Sequence, residues 1–209
     1  MAGRNVLIIG GSGSTGAEAV RRFRAAGDNV VFTYHRSELP ADDLRLETGA
    51  VPVRCDVKFG NSVKIAIDKA LHTLGYIDVL ICNAAVADDT PVTEIDETGW
   101  EEVIDTNLNG VFYCVRNVLP LMIQRKSGTV ITVAACERAG FPGGTAYSAS
   151  KAGVVGLTKA LAEEVGPHGI TVNCVTPVDP ASAADAMMFL ASANARTVNG
   201  EIIGSKHAV

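Results

Sequence analysis

Tyr147 and Lys151 are the two residues of this chain best suited to moving a proton. A tyrosine hydroxyl titrates near about 10 and so keeps its proton at neutral pH. A neighbouring ammonium stabilises the phenolate and brings that proton into working range. Lys151 lies four residues after Tyr147, so a helix puts both on one face. A surface helix can carry the same pair with no chemical role, so the weight rests on what surrounds it. The strand-like run just before the pair ends in Ala134-Ala135, with no hydroxyl to hold a substrate oxygen. Cys136 is adjacent, but a thiol is a weak donor and reads equally well as a buried small hydrophobe.

A second cluster suits an anion. In "IIGGSGSTGAEAV", Gly10, Gly13 and Gly16 follow an apolar run and open a helix-like segment. Glycines allow a tight turn and let a pyrophosphate approach amide groups at a helix N-terminus. Ser12, Ser14 and Thr15 add hydroxyl donors. The next apolar run ends Thr33-Tyr34-His35-Arg36, where a fold preferring NAD usually carries an acid for the ribose diol. Arg36, beside Tyr34, can instead pair with a 2′-phosphate, so NADP(H) is expected over NAD(H). Asp56, after the third run, suits an adenine amine or a helix cap equally well.

Elements must position these residues. The runs 5–9, 29–34, 50–55, 77–82, 128–133 and 169–175 are rich in Val, Ile and Thr and nearly continuous, as in strands buried on both faces of a parallel sheet. Segments 16–26, 60–74, 98–125 and 145–166 between them carry apolar residues at helical spacing. The alternation predicts an α/β, doubly wound parallel sheet in a single domain, 1–209. A net charge of −5 with no basic patch disfavours a nucleic-acid partner. No apolar run reaches the length of a membrane span. Five scattered cysteines without C-x-x-C spacing read as reduced thiols in a cytoplasmic protein, with no metal site.

Together these residues resemble the short-chain dehydrogenase/reductase family over nearly the whole chain. Tyr147-Ser-Ala-Ser-Lys151 matches its Y-x-x-x-K, and "DTNLNGVF" matches the helix whose active-site asparagine falls on Asn107. "CNAA" (82–85) stands where the family has N-N-A-G, and "GITVNCVTP" matches the strand ending in its Pro-Gly cofactor turn. "ADAMMFLAS" (184–192) and "VNGEII" (198–203) match its last helix and strand. The branch most similar is that of the 3-oxoacyl-carrier-protein reductases. The resemblance implies a Rossmann fold and hydride transfer between nicotinamide and a carbonyl or alcohol, on a small ketone or acyl-thioester substrate. It makes Asn107, Tyr147 and Lys151 catalytic, with Asn107 holding a water and Lys151 also bonding the nicotinamide ribose. Val57, Asn83, Ala84, Ala85 and Pro177 would join the cofactor-binding set. The surplus apolar residues of 98–125 and 145–166 point to a subunit interface, and the resemblance implies a homotetramer.

The sequence departs from the family in four respects. Alanines replace the serine that donates to the substrate carbonyl, a loss that costs roughly a hundredfold or more in rate. Ser14 takes the middle-glycine place of the commoner G-x-x-x-G-x-G spacing, while G-x-x-G-x-x-G is that of extended relatives. Cys82 and Ala85 replace the first Asn and the Gly of N-N-A-G. Val178 follows Pro177 where a glycine and then a substrate lid of a few dozen residues are expected, so a lid segment is expected to be missing between 177 and 178. Two readings follow: an NADP(H)-dependent oxidoreductase, or an impaired relative that binds nucleotide as a structural or regulatory partner.

Overall fold

The computed structural model describes residues 3–134 and 144–204. Ala135, Cys136, Glu137, Arg138 and Phe141 therefore lie outside the described residues.

Seven strands, β1 (Asn5–Ile9), β2 (Asn29–Tyr34), β3 (Val51–Arg54), β4 (Val79–Cys82), β5 (Gly128–Val133), β6 (Ile170–Thr176) and β7 (Ile202–Gly204), form one sheet. Its order is β3-β2-β1-β4-β5-β6-β7, and every pairing among them is parallel. Strand β1 shows why the apolar runs are continuous. Val6 and Ile8 enter one core while Leu7 and Ile9 enter the other, and all four are buried. Each fully buried aliphatic side chain contributes roughly 1.5–3 kcal/mol.

Helices cover both faces. Apolar residues of α1 (Ser14–Ala25), α2 (Glu38–Thr48) and α7 (Pro180–Leu190) fill one core, around Val20, Phe23, Leu44 and Met187. Those of α3 (Gly60–Leu74), α5 (Gly110–Arg125) and α6 (Thr145–Val165) fill the other, around Ile67, Val115 and Val154. The expected 98–125 helix is α4 (Glu97–Ile104), a π-helical turn (Asp105–Asn109) and α5 in succession. Its start is fixed by Asp96, whose Oδ1 accepts from the Gly99 amide at 2.7 Å.

The sequence pattern did not single out α2. Only Ala41 and Leu44 of it are buried, so its apolar stripe is too thin to read. At the other end, Pro177 and Val178 are consecutive, and three residues link β6 to α7. Asp179 caps α7 by accepting from the Ser182 amide at 2.9 Å.

Candidate active site

The strand order reverses between β1 and β4, the neighbours whose connections leave to opposite sides. Open α/β sheets bind ligands at such a point, beyond the carboxyl ends of the strands. A cavity of about 300 Å³ opens there, walled by the segments that follow β1, β2, β3 and β4. It brings together Gly10, Ser12, Gly13, Tyr34, Arg36, Asp56, Val57, Asn83, Ala84 and Ala85. Ser14, Thr15 and Gly16 form the first turn of α1 instead, and Pro177 stands half-buried after β6.

The glycine turn is held from both sides. The Gly10 amide donates to Thr33 Oγ1 (3.0 Å), and Asn83 Nδ2 donates to the Gly10 carbonyl (2.9 Å). Gly10 has φ +79, and a Cβ there would lie 2.6 Å from Ala84 Cα. A Cβ on Gly16 would lie 2.2 Å from the Gly10 carbonyl oxygen, whereas one on Gly13 meets nothing closer than 3.9 Å. Of the three motif glycines, 10 and 16, common to both family spacings, are thus the sterically required ones. Gly13 caps α1 without a side chain, and the first turn carries no acid. The first amides of a helix have no partner inside it, so this end of α1 fits a pyrophosphate.

The β2 and β3 ends set the charge of the cleft. Arg36 is exposed on its rim. Asp56 does not cap α3, whose N-cap is Phe59. Its Oδ1 accepts from the Lys58 amide (3.1 Å), and its Oδ2 lies 3.3 Å from His35 Nε2. Lys58 is ion-paired with Glu102 of α4, and this contact holds its ammonium above the usual range. His35, Lys58, Val86, Glu102 and Thr106 line the cleft although sequence reasoning passed over them. His35 and Lys58 directly flank residues it did select, which was the available signal. Glu102 and Thr106 arrive through tertiary placement of the α4 helix and the π turn.

The Tyr147 and Lys151 end is joined to this cleft by hydrogen bonds. Asn107 lies in the π turn and is fully buried. Its Oδ1 accepts from the Val86 amide (2.8 Å), and its Nδ2 donates to the Val86 carbonyl (2.9 Å) and to Ser150 Oγ (3.0 Å). Ser150 in turn donates to the Tyr147 carbonyl at 2.8 Å. Tyr147 occupies the first turn of α6 and packs against Val103 and Ala146. Lys151, one turn on, places Nζ 5.6 Å from the Tyr147 ring centroid. That Nζ donates to the Val133 carbonyl at 2.9 Å, and burial pushes its pKa down to about 8. A buried ammonium beside a phenol is the arrangement that favours phenolate and eases proton transfer. Ala134 is buried and packs into the core shared with α6, so its methyl offers no donor.

Comparison with known proteins places this geometry. The family model for short chain dehydrogenases matches residues 4–188. A 3-oxoacyl-(acyl-carrier-protein) reductase, FabG, of Staphylococcus epidermidis is 36% identical over 180 residues, 83% of this chain and 74% of that protein. A 2-dehydro-3-deoxy-L-rhamnonate dehydrogenase (NAD(+)) of Sphingomonas is 36% identical over 179 residues, 84% of this chain and 72% of that protein. A Bacillus thuringiensis structure described as a 3-oxoacyl-reductase superposes with TM-score 0.93 at 26% identity, covering 99% of this chain and 98% of that one. The chain belongs to the short-chain dehydrogenase/reductase family, in its FabG-like branch, and is an oxidoreductase that uses a nicotinamide cofactor.

Proposed function

We propose that the chain is an NADP(H)-dependent carbonyl reductase or alcohol dehydrogenase whose proton donor is Tyr147. The observation that carries this reading is the buried Lys151 ammonium 5.6 Å from the Tyr147 ring, on a helix turn held to the cleft wall at Val86 through Asn107, Ser150 and the Tyr147 main-chain carbonyl. A nicotinamide bound in the cleft supplies or accepts the hydride. Tyr147 gives its proton to the carbonyl oxygen in reduction and takes it back in oxidation. Lys151 stabilises the phenolate left behind and bonds the nicotinamide ribose. The Asn107 side-chain amide is spent on Val86 and Ser150, so the water expected of this residue would fall to its main-chain carbonyl.

Gly10, Ser12, Gly13, Ser14, Thr15 and Gly16 hold the pyrophosphate in this reading. Tyr34 and Arg36 read the 2′-phosphate, Asp56, Val57, Asn83, Ala84 and Ala85 bound the adenosine, and Pro177 edges the nicotinamide. Preference for NADP(H) is supported by Arg36 and the absence of an acid at the end of β2. Among the relatives, the Sphingomonas enzyme carries NAD(+) in its name. Titrating NADPH and NADH into the protein tests it, and equal or tighter NADH binding would overturn it. Substrates are small ketones or acyl thioesters, by analogy with the 3-oxoacyl reductases. The working form is a cytoplasmic homotetramer, tested by sedimentation.

The donor-free methyl of Ala134 favours a second reading. Here the protein keeps its nucleotide and turns over slowly, serving as a structural or regulatory partner. Nucleotide binding without turnover of any ketone or acyl thioester would favour it.

A further inference from the structure

The Lys58–Glu102 ion pair has no place in the hydride-transfer scheme. Lys58 follows Asp56 and Val57 after β3, whereas Glu102 stands on α4, 44 residues away. Both line the cofactor cleft, and their ion pair ties the β3 side of its rim to α4. With the pyrophosphate at α1 and the ribose at the β2 tip, the adenine falls between the segments after β3 and β4. We infer that Lys58 and Glu102 form a strap across the adenine end of the cleft and so set how fast the nucleotide leaves. This rests on the cofactor reading above.

The surrounding charges fit a strap. Asp56 is engaged by the Lys58 amide and faces His35, which leaves Glu102 as the acid paired with the Lys58 ammonium. Arg36 lies near enough for its charge to oppose that of Lys58, so Glu102 holds the lysine at the rim against this repulsion. The lysine side chain is 20% exposed and the glutamate 42%. A partly exposed pair of this kind can break and re-form, as entry and exit of the adenine demand.

Stopped-flow release of NADPH and of NADH from the intact protein tests the strap. Lys58→Met and Glu102→Gln should each speed release of both nucleotides by about two- to fivefold, the range of an exposed ion pair. The double variant should be no faster than either single one. Unchanged rates overturn the strap. So does a loss confined to NADPH in Lys58→Met with tighter NADPH in Glu102→Gln, which would make Lys58 a reader of the 2′-phosphate. If the unaltered protein binds neither nucleotide, the cofactor reading itself falls, and the strap with it. Matching thermal unfolding of the variants separates these outcomes from a folding defect.

Discussion

Replacing Lys151 by methionine should make the protein more stable while removing its activity. The lysine is 4% exposed, and no acid among the described residues forms an ion pair with it. Burial lowers its pKa from 10.5 to about 8. At 1.36 kcal/mol per pKa unit, that drop corresponds to about 3 kcal/mol against the charged form. Methionine removes this penalty but loses the bond to the Val133 carbonyl, which contributes about 1 kcal/mol. The variant should therefore gain about 2 kcal/mol at pH 7. The sign with pH follows from proton counting. Between pH 8 and 10.5 the unfolded chain binds more protons at this site than the native one, so native stability rises with pH across that window. Below it, both states are protonated and the penalty is complete. Urea unfolding of both proteins at pH 7 and pH 10 checks the argument. The advantage of the variant should vanish or reverse at the higher pH. A variant less stable than the parent at pH 7, or a difference that does not change with pH, would refute it.

Three further outcomes are expected. In the parent protein, kcat/KM for carbonyl reduction should fall above about pH 8, as Lys151 loses the charge that favours phenolate; a pH–rate profile flat to pH 9.5 would contradict this. Gly10→Ala and Gly16→Ala should weaken nucleotide binding and lower the melting temperature, while Gly13→Ala leaves folding intact, as thermal unfolding and NADPH titration would report. Ala134→Ser should raise turnover by roughly ten- to a thousandfold by returning a donor for the substrate oxygen, and unchanged turnover would contradict this.

The sheet was legible because burial on both faces leaves a mark in composition. Runs such as Val6-Leu7-Ile8-Ile9 feed two cores at once and so contain no polar alternation. The α2 helix was not legible, because an edge helix with two buried residues resembles a loop. In the glycine turn, spacing gave Gly13 the same weight as Gly10 and Gly16, and only the neighbouring atoms separate them. Asp56 was ambiguous until its carboxylate was seen between Lys58 and His35 rather than on α3. The commitment of Asn107 to Val86 and Ser150 and the union of Lys58 with Glu102 are long-range contacts. No local pattern announces such partners.

The most direct test follows NADPH absorbance against a panel of ketones and acyl thioesters, with the parent protein beside Tyr147→Phe. The account predicts weak but measurable oxidation of NADPH by the parent and none by the variant, with both binding NADPH. Turnover that survives the loss of the Tyr147 hydroxyl would contradict it.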